Sequence, residues 1–233
     1  MSQKIILKAS SIIMGLSGIT ILFSVIWPIV SYENSGFRTD KESSPGDSDN
    51  FISPVVVAEG AGVDFTKASN WFPGAATKED FVASNISYYT ISIPKLKIEN
   101  ATVAIGGEEL AEHLIQYPGT ALPGKNGNAV IFGHSILPIF YNPKDYLSIF
   151  SLLPTLAVGD TIEINYDGIT YKYEIESAFE VSPTDIQVLD QNKSDSFLTL
   201  VTCVPPGDPR KPRRLIVRAR IVPLTQTNAH SGS

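Results

Sequence analysis

The sequence predicts a mainly β domain that closes, or nearly closes, into a barrel, and three observations carry that expectation. Short runs of strand composition crowd the chain from Ile86 onward. A strong hairpin dipeptide, Asp167-Gly168, lies between two of them. Little in that region has a helical period.

The elements follow in order. Tyr89, Ile91 and Ile93 alternate with polar residues, which is the period of a half-buried strand, and Pro94 ends the run. Leu96 and Ile98 continue the alternation. Leu110, Leu114 and Ile115 would share one face of a short helix over Glu108 to Ile115. Asn128 to Phe132 is a compact apolar strand. Thr161 to Tyr166 and Ile169 to Ser177 flank the hairpin turn. Phe197 to Cys203 and Leu215 to Val222 are two more strands, joined by a Pro-rich loop over 204–213.

The N-terminal part has another character. No residue between Lys8 and Glu33 is charged, and a bilayer is crossed by roughly 20 apolar residues in a helix. Residues 9–32 therefore read as a transmembrane helix, with Trp27 and Tyr32 placed as interfacial aromatics. No small-x-small site follows, which favours an uncleaved anchor over a signal peptide. Residues 34–50 are rich in Ser, Asp, Asn and Gly and read as a stalk. Beyond them, Val55-Val56-Val57 has the composition of a short strand, and Trp71-Phe72-Pro73 that of a packing or covering element. The expected organisation is an anchor over 1–33, a stalk over 34–85, a barrel over 86–223 and a polar tail over 224–233.

The net charge of −6 argues against a nucleic-acid binder held by bulk charge. The single cysteine, Cys203, excludes an intramolecular disulfide. His113, His134 and His230 form no close cluster with zinc-ligand spacing, so no metal or cofactor is expected.

Three residues carry the chemistry. Cys203 and His134 each end an apolar strand, and Arg214 opens the strand after the loop that follows Cys203. Antiparallel neighbours would bring Cys203 and Arg214 to one rim, and Gly133 would let another backbone or a substrate come close. A thiolate is a nucleophile, an imidazolium can hand a proton to a leaving amine, and a guanidinium offers fixed donors to a carbonyl oxygen gaining charge. Singly, each has a plain alternative: a buried thiol, a core histidine, or one charge in the run Arg210, Lys211, Arg213, Arg214.

Taken together these residues resemble the sortase family. Leu198-Thr199-Leu200-Val201-Thr202-Cys203, followed by Arg214-Leu215-Ile216-Val217, is similar to its signature TLxTC…RLxV. Tyr117 to Gly124 and Gly127 to Ser135 resemble the segment around its histidine, and Ile91-Ser92-Ile93-Pro94-Lys95-Leu96 resembles its first barrel strand. The resemblance covers roughly residues 86–222. It implies an eight-stranded barrel and a two-step transpeptidation of an LPxTG-like sorting signal onto a peptidoglycan or pilin amine. The catalytic set would be His134, Cys203 and Arg214. Thr202 would contact substrate, and Ile186, Val188 and Leu189 would line a mobile groove wall over Pro183 to Asp195. Work on such substrates places the barrel outside the cell and the N-terminus in the cytoplasm. No second apolar segment follows the barrel, which favours an anchoring type over a pilin-polymerising one; of the latter's Asp-Pro-aromatic lid, Trp71-Phe72-Pro73 is only a faint echo. An L,D-transpeptidase would need a Ser-His-Gly-Cys run, and the only cysteine follows Thr202. The alternative from another class is an inactive anchored barrel that only binds a partner.

Overall fold

The computed structural model describes residues 3–34, 64–75, 80–81 and 87–223. The stalk over 34–50, Val55 to Val57 and the tail beyond 223 lie outside them, apart from Asn34. The eight strands are β1 (Ser87–Ile93), β2 (Ile98–Ile105), β3 (Leu114–Gln116), β4 (Gly127–Phe132), β5 (Thr161–Tyr166), β6 (Ile169–Val181), β7 (Ser196–Val204) and β8 (Arg213–Ile221). They close into a barrel in the order β1-β2-β3-β4-β7-β8-β6-β5. Two neighbouring pairs, β2 with β3 and β4 with β7, are parallel, and the rest are antiparallel. The expected hairpin is present: Asp167 and Gly168, with φ of 53° and 74°, turn β5 into β6.

Two elements differ from expectation. Leu96 and Ile98 do not continue β1: a 3-10 turn over Pro94–Leu96 reverses the chain, and Ile98 opens the antiparallel β2. No helix forms over Glu108 to Ile115. Leu114 and Ile115 instead belong to β3, which is wedged between β2 and β4. Adjacent apolar residues that are both fully buried fit a strand covered on two faces as well as a helix, and here packing decides.

Strand alternation sorts the side chains into two apolar layers. Ile91, Ile131, Leu198, Leu200, Leu215 and Val217 point into the barrel. Val130, Phe132, Val201, Cys203 and Ile216 point out and build a second cluster on the outer face of β4, β7 and β8. Trp71, Phe72 and Phe81 complete that cluster and are wholly buried in it. The body of the domain therefore includes Trp71, Phe72 and Phe81, which lie inside the stretch expected as stalk.

A helix α1 spans Gln3–Asn34, about 48 Å at 1.5 Å per residue. Among the described residues no helix is long and apolar enough to cross a membrane, so the transmembrane expectation for 9–32 gains no support from the structure. Near the end of α1, Tyr32 packs against the barrel and donates a 2.7 Å hydrogen bond to Glu180 of β6.

Candidate active site

The outer face of β4, β7 and β8 is where the sequence candidates meet. Cys203 of β7 pairs directly with Arg214 of β8. The parallel register of β4 and β7 sets Phe132 beside Val201, and Gly133 N–H extends the ladder to the Val201 carbonyl at 3.2 Å. Two residues further on, His134 comes level with Cys203. The residue after it is pinned there, because Ser135 Oγ donates to the Cys203 carbonyl at 2.6 Å. Val130, Phe132 and His134 alternate outward on β4 and its extension, as do Val201 and Cys203 on β7 and Arg214 and Ile216 on β8.

All three candidates are buried: Cys203 to 2%, His134 to 4% and Arg214 to 1% exposure. Their cover is the segment 64–75. Trp71 stacks on Phe132 at 5.2 Å between ring centroids and tilts against His134 at 5.8 Å. Arg214 donates through Nη2 to the Trp71 carbonyl at 3.2 Å and through Nη1 to the Lys211 carbonyl at 2.9 Å. The Phe65 ring lies 4.9 Å from the Lys211 ammonium and 5.5 Å from the Arg214 guanidinium. Trp71 is thus a covering residue as well as a packing one.

Burial also fixes the protonation state. Loss of water pushes the Cys203 thiol up, against the pull of Arg214 and Lys211. Loss of water, aided by the Lys211 charge, brings His134 down to about 4, while Asp64 acts weakly the other way. Covered in this way, the pair is neutral thiol and neutral imidazole. Among the described residues His134 Nε2 and Arg214 Nε have no hydrogen-bond partner. Buried polar atoms left open in this way can meet an incoming group.

The groove candidates divide. Val188 is buried in the same outer cluster as Cys203, Leu189 packs against it, and Ile186 is half exposed. The wall they form, the 3-10 turn Ile186–Leu189, is well fastened. The Val188 carbonyl accepts from Asn128 Nδ2 at 3.1 Å, and Gln191 binds Ala121 N–H, both main-chain groups of Asn128 and the Leu189 carbonyl. Thr202 sits on the other face of β7, and its hydroxyl is committed to the Gly133 carbonyl at 2.8 Å. Gly133 has a different use from the expected one: a Cβ there would lie 2.5 Å from Leu114 and Phe150, so it makes room for the core.

The sequence reading missed Asp64, Phe65 and Lys211. For the first two no local signal exists, since they join the site only through tertiary packing. Lys211 could have been picked out from the basic run it shares with Arg214.

Comparisons with known proteins show the family. A family model described as the sortase domain matches residues 91–222. The chain belongs to the sortase family. Sortase A of Streptococcus agalactiae serotype III is 26% identical over 132 residues, 56% of this chain and 51% of that relative. The match thus spans about half the length of the curated relative. Among solved structures, a Clostridium perfringens sortase D5 transpeptidase is 31% identical at a TM-score of 0.50, over 58% of this chain and 79% of that one. Sortase C-1 from Actinomyces oris is 28% identical at 0.51, over 58% and 73%. A lid mutant of sortase A from Corynebacterium diphtheriae is 29% identical at 0.52, over 62% and 75%. Sortases are cysteine transpeptidases, and the one cysteine of this sortase is buried under its covering segment. Classes A, C and D all stand among these relatives, so similarity alone does not assign this sortase to one of them.

Proposed function

We propose that this sortase cleaves an LPxTG-like sorting signal between Thr and Gly and joins the protein bearing it to a cell-wall or pilin amine. The observation that carries the reading is the direct pairing of Cys203 with Arg214, with His134 held level on the same face. In the first step the covering segment moves away and the Cys203 thiolate attacks the Thr carbonyl carbon. Arg214, released from the Trp71 carbonyl, donates to the oxygen that gains charge. His134, carrying the thiol proton, gives it to the departing Gly amine as the C–N bond breaks. The thioester that remains is attacked by the acceptor amine. A new amide forms as the amine gives up a proton to His134, and the departing thiolate takes that proton back. Val188 and Leu189 offer an apolar wall to the Leu-Pro part of the signal, with Ile186 at its edge. Thr202 serves this reading by fixing β7 to the strand end that bears His134.

The proposed setting is the outer face of a cell membrane, with residues 9–32 as the anchor and the N-terminus inside. The charge-free stretch between Lys8 and Glu33 supports it. So do the hydroxyls of Ser17, Thr20 and Ser24, each bonded to a carbonyl of its own helix, which is what polar groups in lipid need.

The test is Cys203→Ala in the full chain, assayed by mass spectrometry with a sorting-signal peptide and several amines. Neither cleavage nor joining is expected from the folded variant. Turnover by folded Cys203→Ala would overturn the mechanism. Failure of a peptidyl electrophile to label wild-type Cys203 would favour the binding-only barrel.

A further inference from the structure

Lys211 lies in the loop between β7 and β8 and belongs to no step described above. Its backbone is left-handed, with φ of 47°, a conformation that residues with a Cβ hold only when their surroundings impose it. The surroundings here are Asp208 and Arg214. Asp208 is buried to 4% exposure, its carboxylate binds Arg210 N–H, Nε and Nη2, and its carbonyl accepts from Lys211 N–H at 3.1 Å. Lys211 then presents its own carbonyl to Arg214 Nη1 at 2.9 Å. Its side chain turns inward and is half buried. The ammonium stands over the ring of Phe65, the same ring that lies against Arg214.

We propose that Lys211 is a positioning residue of the transpeptidation site: its carbonyl orients the Arg214 guanidinium, and its ammonium adds a second positive charge beside the Cys203–His134 pair. The proposal rests on the reading of Cys203 as nucleophile. The charged groups around the ammonium are Cys203 from β7, Arg214 from β8, His134 after β4, and Asp64 on the covering segment. Arg214 and Lys211 favour the thiolate, while at the imidazole Asp64 acts against Lys211. Once the cover moves, Asp64 moves with it, and Lys211 is left acting on the thiolate and the imidazole alone. A positive charge lowers the pKa of both groups. Removing it should therefore move both limbs of a bell-shaped pH profile upward. Loss of packing would lower only the height of the profile.

Cys203 is the only thiol, so alkylation by iodoacetamide reports on it unambiguously. The full chain in detergent is alkylated from pH 5 to 10 as wild type, Lys211→Met and Lys211→Arg, with circular dichroism to confirm folding. Lys211→Gln replaces Lys211→Met should the latter not fold. At pH values below the thiol midpoint, loss of one nearby charge should slow alkylation about three- to tenfold, with a matching rise in the midpoint. Lys211→Arg should restore the wild-type midpoint. A raised plateau with an unmoved midpoint would show that Lys211 only holds Phe65 in place, and would overturn the proposal. An upward midpoint shift that Lys211→Arg fails to reverse would overturn it too. Alkylation needs no sorting peptide. If wild type cleaves no peptide yet the midpoints move as stated, the functional reading falls and only the effect of the Lys211 charge on Cys203 stands.

Discussion

Arg213 and Arg214 are adjacent, and the strand turns them to opposite faces. Arg214 lies at 1% exposure opposite Cys203. Arg213 closes the stretch read from the sequence as a loop, but it is the first residue of β8 and forms a 2.9 Å ion pair with Glu180. Arg214→Lys should lower kcat/KM by at least roughly tenfold, because a lysine cannot reproduce the guanidinium fork at a developing oxyanion. Arg213→Lys keeps the charge of a partly exposed pair and should change kcat/KM by less than about twofold. Steady-state kinetics on one peptide, with circular dichroism on both variants, checks the ranking. His134 makes a second prediction at this scale. Its native pKa of about 4 lies below the usual 6.5, so the unfolded chain binds the extra proton first. Its contribution is whole above about pH 6.5 and is lost as pH falls through 4, amounting to about 3 kcal/mol. Denaturant melts at pH 7 and pH 4 should show that loss in wild type and a smaller one in His134→Gln.

At the scale of elements, the segment 64–75 covers the proposed site. Two contacts tie Phe65 to the cations beneath it, each worth about 0.5–1 kcal/mol. Phe65→Ala should loosen the cover and speed Cys203 alkylation at fixed pH by about five- to tenfold. An unchanged rate would mean that Trp71 and Phe72 hold the segment unaided. Six of the eight strands were legible in the sequence because their apolar residues alternate or fall in short β-branched runs; β2 was read only as a continuation of the first run at Leu96 and Ile98. β3 was not, since three residues give no period and Leu114-Ile115 fits a helix face equally well. The outward alternation of Val201 and Cys203 could be read directly. The burial of that face could not, because it is supplied by residues 64–75, some 130 positions away. Thr202 shows the same limit: its place in the signature suggested substrate, and its position on β7 sends the hydroxyl to Gly133.

For the whole molecule, the question is where the folding unit starts. α1 touches the barrel through Tyr32, whose hydrogen bond to Glu180 contributes a net of about 0.5–1.5 kcal/mol. Losing it should lower Tm by only about 2–6 °C in a domain of this size. The segment 64–75 is different. Trp71 and Phe72 are fully buried in the outer cluster, and emptying such a site costs about 3–5 kcal/mol for each aromatic. Together that rivals the whole stability of a typical domain, about 5–15 kcal/mol. A chain beginning at Ile52 keeps both aromatics and discards the charge-free stretch. It should be soluble, active on a sorting peptide, and close to the full chain in Tm. A chain beginning at Ala76 lacks them and exposes Val130, Phe132, Val201 and Ile216; it should aggregate or melt more than about 10 °C lower. Thermal melts and size-exclusion profiles of the two truncations decide the matter. Equal melting temperatures would show that residues 64–75 rest on the barrel without supporting it, and aggregation of the longer chain would place the start of the folding unit upstream of Ile52.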